Sequence, residues 1–219
     1  MSGLYSGVQS RIKTINPLAN YVPCSAHSLN LVGTCAAESV TEAVDFFSTL
    51  QELYNFFTVS THRWEILVQH TSLRLKSLSQ TRWFARHDAC YALQKEWPGI
   101  INALNFIAQN GHKTPTTRSE ATGLQQKLQH LETAILVIVW NIILDRFNAA
   151  SKKLQESNAD LSSVVQIYGS LALFLQDMRD KQYSEYEKKS KRTVWRSSLL
   201  SLRYETQKKT EKFRQMSHG

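Results

Sequence analysis

The feature that most constrains the fold of this chain is the helical spacing of its apolar residues, which begins near residue 40 and continues to residue 187. Apolar side chains recur every three or four positions, and this spacing lines up one face of an α-helix. Ser39 or Thr41, with Glu42 close behind, is typical of a helix N-terminus and marks the start of the pattern. The chain is therefore predicted to be mainly α. The first apolar stripe consists of Val44, Phe47, Leu50, Leu53, Tyr54 and Phe57.

Before this pattern, the sequence predicts a helix over 4–15, a short strand and the start of a second helix. Pro17 stops the first helix, and Ser25 or Ala26 begins the second, which extends toward Gly33. Residues 20–24, Asn-Tyr-Val-Pro-Cys, are predicted to form the strand, because Tyr and Val favour β-structure and Pro23 lies near its end. One strand cannot form a sheet, so its partner is expected to be missing from the chain.

Beyond residue 60, helices are predicted over 61–69, 82–95, 97–109, 122–131, 133–156 and 160–187. Trp97-Pro98 is predicted to be a joint between two of them, because proline is tolerated in the first turn of a helix. Residues 111–117 have the composition of a loop. No repeat of constant period is present.

The composition limits the class of protein. With 219 residues and 42% hydrophobic content, the chain is long and apolar enough for one large domain or a domain with an appendage. The longest apolar run, 134–144, is about half of the ~20 residues that a membrane span needs, so it is predicted to be a buried helix. The first residues lack the basic and apolar segments of a signal peptide, so none is expected, and three cysteines do not suggest a disulfide framework. An intracellular protein without a membrane partner is expected.

The positive charge is concentrated at the C-terminal end. Residues 181–219 contain 11 of the 26 Lys and Arg residues but only 4 of the 18 Asp and Glu residues, which gives +7 of the formal +8. The basicity is therefore a property of this tail and does not indicate that the body binds nucleic acid. The densest cluster is typical of a nuclear-import signal or a non-specific phosphate contact, although such runs are often simply solvated. It comprises Lys188, Lys189, Lys191 and Arg192.

Cys24 and His27 have the i, i+3 spacing of half a zinc site. His87 and Cys90 repeat this separation in reverse order, so two cysteines and two histidines could in principle come together. Isolated pairs of this kind are more often packed core residues, because buried cysteine acts as a small hydrophobe. No metal site is therefore predicted.

The pair Arg-Trp occurs twice, at Arg63-Trp64 and Arg82-Trp83. Spacing alone favours tryptophans that pack between helices, with the arginines extending outward. The alternative is nucleic-acid recognition, since a flat aromatic face can stack on a base while an adjacent positive charge binds a phosphate. Arg86 lies one turn after Arg82 on the same helical face. The basic residues concentrated here are Arg74, Lys76, Arg82 and Arg86.

Taken together, the segment Tyr21-Val-Pro-Cys-Ser-Ala-His-Ser-Leu-Asn-Leu31 and the later Thr81-Arg-Trp83 resemble the middle of a hAT-family transposase. They are most similar to the domesticated relatives described as zinc finger MYM-type or TTF-type proteins. The resemblance extends over roughly residues 1–185. It implies that His27 reaches toward DNA, with Cys24 packed beneath it, and that Trp83 stacks on an unpaired base. The nucleic-acid-binding residues implied are Cys24, His27, Asn30, Arg82, Trp83 and Arg86.

The resemblance also implies an RNase H-like core interrupted by an all-helical insertion, with two metal ions held by two aspartates and a glutamate. In the family the second aspartate precedes a Met-Ser-Gly sequence, and this chain begins with Met1-Ser2-Gly3. Both aspartates are therefore expected upstream of the chain, and the glutamate downstream. Asp45, Asp88 and Glu96 are interpreted as surface charges. No catalytic residue, metal or cofactor is expected.

The resulting hypothesis is a truncated, transposase-derived protein without catalytic activity. It comprises a remnant of an RNase H-like core with about one strand (1–36), a helical insertion domain (37–180) and a basic tail (181–219). DNA is the expected partner, and the nucleus, otherwise the cytoplasm, the expected location. The alternative is a helical protein-interaction module whose partner is a related full-length protein. No small-molecule substrate is expected.

Overall fold

The computed structural model describes residues 7–78, 83–157, 160–181 and 185–192, without the side chains of residues 83, 84 and 181. Within these ranges the chain is helical and contains no β-strand, so the prediction of a mainly α protein is confirmed. Residues 185–192 form a further short helical segment, called here the basic helix. The longer helices are α1 (Val8–Ile15), α2 (Ser25–Glu38), α3 (Thr41–Thr58), α4 (Thr61–His70), α5 (Trp83–Gln109), α6 (Pro115–Gln129), α7 (Leu131–Leu154) and α8 (Leu161–Lys181).

Helix α5 lies at the centre of the bundle and contacts α3, α4, α6 and α7. Its apolar residues follow helical spacing, so that one broad face is removed from solvent against these neighbours. Each large side chain buried in this way stabilises the fold by about 1.5–3 kcal/mol. The largest fully buried side chains of α5 are Leu93, Trp97, Ile100, Ile101, Leu104 and Ile107.

The predicted break at Trp97-Pro98 is wrong, because α5 runs without interruption through Pro98. Proline removes one backbone hydrogen bond and crowds the preceding turn, which costs about 3 kcal/mol in an exposed helix interior. Here the buried residues Leu93, Trp97 and Ile101 lie on both sides of Pro98 and pack in the same core. Their combined burial outweighs the local cost, so tertiary packing overrides the proline.

The predicted strand over 20–24 is also wrong, since these residues have no regular secondary structure. Tyr21 and Val22 are exposed, at 50% and 79% of their surface, and the described residues offer no strand with which they could pair. A β-propensity measures how well a side chain packs on a sheet, so it has no effect where a sheet is absent. The RNase H-like remnant therefore gains no support from the fold.

Several helix boundaries differ from the prediction. Helix α3 begins after Val40, which makes no side-chain capping bond, and not after Ser39 or Thr41. The predicted loop 111–117 is shorter than expected, because Pro115 occupies the first turn of α6 and the Thr114 hydroxyl accepts a hydrogen bond from the Thr117 N–H at 3.2 Å. The predicted helix 61–69 is confirmed as α4. The domain divisions at residues 36 and 180 stay predictions.

Two smaller apolar clusters join the start of α2 and the basic helix to the bundle. Ala26 and Leu29, at the start of α2, pack against α7 and α8, in a cluster that includes Leu154 and Leu171. At the other end of α8, Tyr186 packs with Ile138 and Met178.

Helix α7 is long and apolar enough to cross a membrane by length and composition, a property that core helices of soluble proteins share. Of the 18-residue window concerned, 33% is buried inside the structure. The helix contacts α2, α5, α6 and α8, and Val137, Ile138 and Leu144 are buried.

Candidate nucleic-acid interface

The first group of predicted site residues lies at the start of α2. Cys24 is the N-cap of this helix, and both Cys24 and His27 are exposed, while Asn30 is half-buried. Ala26 and Leu29 occupy the opposite, buried face. The expected packing of Cys24 beneath His27 is therefore wrong, because the thiol faces solvent. His27 is accessible to a partner.

Tyr168 of α8 fixes the beginning of α2. Its hydroxyl donates a hydrogen bond to the Ser25 carbonyl oxygen at 2.9 Å. Burial raises the pKa of Tyr168, and the neighbouring Cys24 raises it further. The neutral phenol is thus favoured, and it holds the turn that presents Cys24 and His27.

The second predicted group lies at the start of α5. Arg82 lies outside the described residues, and Trp83 is the first residue of α5, with a side chain that also lies outside them. The Arg86 side chain is only 13% exposed, and its guanidinium lies 3.9 Å from a Glu38 carboxylate oxygen and 4.8 Å from the centre of the Phe47 ring. Burial lowers the pKa of Arg86, and Glu38 opposes this shift. Arg86 therefore serves to join α5 to α2 and α3.

A cavity of about 460 Å³ lies beside Arg86, between the end of α2, helix α3 and the segment that precedes α5. The Gln51 side-chain oxygen accepts a hydrogen bond from the Leu78 N–H at 2.9 Å, which attaches that segment to α3. The cavity is lined by Ala37, Glu38, Val44, Phe47, Ser48, Gln51, Leu78 and Arg86.

The two predicted groups are at opposite ends of α2. His27 lies in its first turn, whereas Glu38, its last residue, contacts Arg86. Eleven residues of helix separate them by roughly 16 Å along the axis. The motifs therefore do not form one compact site, although a nucleic-acid strand is long enough to reach both.

The possible metal site of two cysteines and two histidines is not formed. Cys90 is fully buried, and burial raises its pKa strongly, so it is a packed core thiol. His87 contacts carboxylate oxygens of Asp145 at 2.6 Å and Asp88 at 3.3 Å. No group of three or more potential metal ligands occurs within the part of the chain that the structure describes.

The pair Arg63-Trp64 has a structural role. Trp64 packs against the main core, as predicted from spacing, but Arg63 does not extend outward. The Arg63 guanidinium donates to the Phe56 carbonyl oxygen at 3.2 Å and to the Thr117 hydroxyl at 2.9 Å, and it lies 4.5 Å from the Phe56 ring centre. This arginine connects α3 and α4 to α6.

Two of the acidic residues interpreted as surface charges make specific contacts instead. The Glu96 carboxylate accepts hydrogen bonds from the backbone N–H groups of Ser72 and Leu73, both at 3.1 Å. Asp88 binds the Lys76 ammonium group at 2.6 Å. Both carboxylates attach the segment after α4 to α5. Asp45 is exposed, as expected.

The basic cluster is held against the bundle by one face of the basic helix. Tyr186 and Ser190, one turn apart, are 6% and 0% exposed, and the Ser190 hydroxyl donates to the Tyr186 carbonyl oxygen at 2.7 Å. Burial raises the pKa of Tyr186, and the nearby carboxylates of Glu185 and Asp177 raise it further. Lys191 forms an ion pair with Glu187 at 2.7 Å. The exposed cations are Lys188, Lys189, Lys191 and Arg192.

A polar cleft that the sequence does not predict lies between α7 and α8. It has a volume of about 410 Å³ and contains Arg146 and Lys153 from α7 together with Ser163 and Ser170 from α8. Arg146 and Lys153 are seven residues apart, so they share a helix face. The sequence shows this spacing on α7, but it does not show that residues of α8 lie opposite Arg146 and Lys153.

Comparison of the chain with protein-family models, with curated proteins and with solved structures finds no match in any of the three. The function is therefore inferred from the residues and their arrangement.

Proposed function

We propose that this protein is a hAT-transposase-related helical protein that binds nucleic acid and catalyses no reaction on it. The observation that carries the proposal is the arrangement of the basic helix. Four cations, Lys188, Lys189, Lys191 and Arg192, are exposed there, while Tyr186 packs against α7 and α8 and Ser190 is buried. Cations held on a packed helix form a surface of defined position, in contrast to a freely solvated run.

Phosphate contact is the interaction that such a surface favours. Each neutralised phosphate releases condensed counterions, so the logarithm of the binding constant falls with the logarithm of salt concentration by about 0.9 for each contact with duplex DNA. If all four cations engage phosphates, the slope is about −3 to −4. This binding carries no base specificity of its own.

We assign the base contact to the start of α5 and a separate backbone contact to the start of α2. His27 is exposed at its start, and α5, which begins at Trp83, is joined to its other end through Arg86 and Glu38. In this proposal Trp83 stacks on a base and Arg82 contacts the adjacent phosphate, while His27, at the other end of α2, contacts the backbone farther along the strand. Cys24 and Asn30 shape the start of α2, and Arg86 positions α5. Stacking of one base on an aromatic side chain contributes about 1–3 kcal/mol.

The test is fluorescence anisotropy with labelled single-stranded and duplex DNA at several salt concentrations. Replacing Lys188, Lys189, Lys191 and Arg192 with alanine should weaken binding and reduce the magnitude of the salt slope, while Trp83→Ala should weaken binding to single strands without changing the slope. The control replaces four exposed cations elsewhere, Arg11, Lys13, Lys95 and Lys152, and removes the same charge. Equal losses in both quadruple variants would refute a localised surface.

A helical protein-interaction module is the second candidate, favoured by the apolar surface near the N-terminus. Helix α1 has no buried residue. Static light scattering, combined with pull-down of a related full-length protein, tests this function; association without DNA binding would favour it. The exposed apolar residues are Val8, Ile12, Ile15, Leu18, Tyr21, Val22, Leu31 and Val32.

We infer a nuclear location from the same basic helix. We expect a fluorescent fusion of the whole chain to accumulate in the nucleus. The quadruple alanine variant of the basic helix should distribute between nucleus and cytoplasm, whereas the four-cation control variant should remain nuclear.

A further inference from the structure

The cleft between α7 and α8 has the charge and donor groups of a phosphate site. Arg146 and Lys153 provide two positive charges, and the hydroxyl groups of Ser163 and Ser170 and the side-chain amide of Gln166 provide neutral donors. Glu156, the one carboxylate among the lining residues, lies one turn beyond Lys153. The lining therefore carries a net charge of +1. Its volume of about 410 Å³ is larger than one phosphate group requires.

Arg146 is already held in place at this cleft. Its guanidinium donates to the Ser170 hydroxyl at 2.9 Å and lies 5.6 Å from the centre of the Phe174 ring. Arginine presents five donors in a rigid plane, so contact with one hydroxyl leaves most of them available to phosphate oxygens. Because the side chain is partly fixed before binding, less conformational entropy is lost when an anion binds.

Lys153 supplies the second charge and has no ion pair within the described residues. It lies two turns of α7 from Arg146, or about 10 Å along the helix axis. The N-terminus of α8 contributes less to anion binding than these side chains do, because the Asp160 carboxylate already accepts a hydrogen bond from the Ser163 N–H at 2.7 Å. Recognition therefore depends on the two side-chain cations and on the hydroxyl groups.

We propose that this cleft binds a phosphate group of a nucleic-acid backbone. The inference rests on the proposed function and extends it, because it adds a second backbone contact on the α7–α8 pair. Ser163 in the cleft and Met178 beside the basic helix are separated by fifteen residues, which is about 22 Å along α8. This distance corresponds to roughly six steps of 3.4 Å along one strand of duplex DNA.

The experiment compares Lys153→Glu with Lys152→Glu in the full chain. Lys152 is exposed on the same helix, one residue away, and does not line the cleft, so both variants make the same change in net charge. DNA binding is measured by anisotropy, and inorganic tripolyphosphate binding by calorimetry. We expect Lys153→Glu to weaken DNA binding roughly tenfold, the effect of losing one hydrogen-bonded charge contact, and Lys152→Glu to change it less than threefold.

Each outcome has a defined meaning. If Lys153→Glu abolishes tripolyphosphate binding but leaves DNA binding unchanged, the cleft binds a small phosphate compound, which overturns the nucleic-acid assignment. Equal effects of both variants overturn the site. If Lys153→Glu weakens DNA binding while the quadruple alanine variant of the basic helix has no effect, the cleft is supported and the proposed role of the basic helix fails. Arg146→Lys provides a further check: it keeps the charge but removes the planar donors, and should weaken binding by a smaller factor.

Discussion

The packing of α5 against α4 makes a quantitative prediction at Gly99. A Cβ atom placed on Gly99 would lie 2.1 Å from the His70 carbonyl oxygen, and 3.1 Å from both the His70 carbonyl carbon and the Thr71 methyl group. Contacts under 3.0 Å essentially never occur for real Cβ atoms, so Gly99→Ala must separate the two helices by about 1 Å at this point. The opposing atom belongs to the backbone and cannot rotate away.

The magnitude follows from two opposing effects. Overpacking costs about 1–3 kcal/mol, and a clash between backbones lies at or above the upper end of that range. Alanine in place of glycine in a helix stabilises the folded state by about 1 kcal/mol. The net loss in the free energy of unfolding is therefore about 2 kcal/mol, which for a chain of this size lowers Tm by roughly 4–8 °C.

Gly123→Ala is the matched control. Gly123 lies inside α6, and a Cβ atom placed on it meets nothing within 4 Å. Only the gain in helix propensity applies, so this variant should be stabilised by about 0.5–1 kcal/mol. Urea unfolding followed by circular dichroism at 222 nm measures both variants. If Gly99→Ala is as stable as Gly123→Ala, the close approach of α4 and α5 is refuted.

Three further predictions concern other parts of the fold. Cys24 and Cys35 are exposed and Cys90 is buried, so a thiol reagent should label two cysteines rapidly in the native protein and the third only after unfolding. Equal labelling rates for all three cysteines would contradict the core packing of α5. Tyr168→Phe removes the hydrogen bond to α2 and should lower the free energy of unfolding by about 0.5–1.5 kcal/mol, as measured by urea titration near pH 7, where the phenol is neutral. The hydrogen bonds from Ser163 lower the pKa of Asp160 in the folded protein. The stability that this carboxylate gives α8 is therefore fully present above its ordinary pKa near 3.8, and it is lost as the pH falls through the lower pKa of the folded state. The stability difference between the wild type and Asp160→Ala should therefore be constant near neutral pH and shrink below pH 3.8; a difference that persists in acid would contradict the charged cap.

Much of the helical architecture could be predicted because apolar periodicity is a local property of the sequence. The stripe over α3 and the apolar run of α7 correspond to helices with buried faces. The continuity of α5 could not be predicted locally, since it depends on the core that surrounds Pro98. The strand over 20–24 failed for the same reason, because a strand requires a partner that propensity does not supply.

The site was less predictable than the fold. The accessibility of His27 follows from its position opposite Ala26 and Leu29, but the burial of Arg86 between Glu38 and Phe47 depends on how α2, α3 and α5 meet. The cleft between α7 and α8 likewise combines residues from two helices. Spacing within one helix predicts which residues share a face, but it does not predict which other helix packs against that face.

The hydrogen bond between α8 and the first turn of α2 determines when that turn can be fixed in place during synthesis. Helices α3 to α7 each contact the next helix in the sequence, so they can assemble as they leave the ribosome. Helix α2 also packs on α7 and α8, and the bond between Tyr168 and Ser25 spans 143 residues. At 5–20 residues synthesised per second, Tyr168 is made roughly 7–30 s after Ser25. The start of α2, with Cys24 and His27, is therefore completed only after α8 has been made.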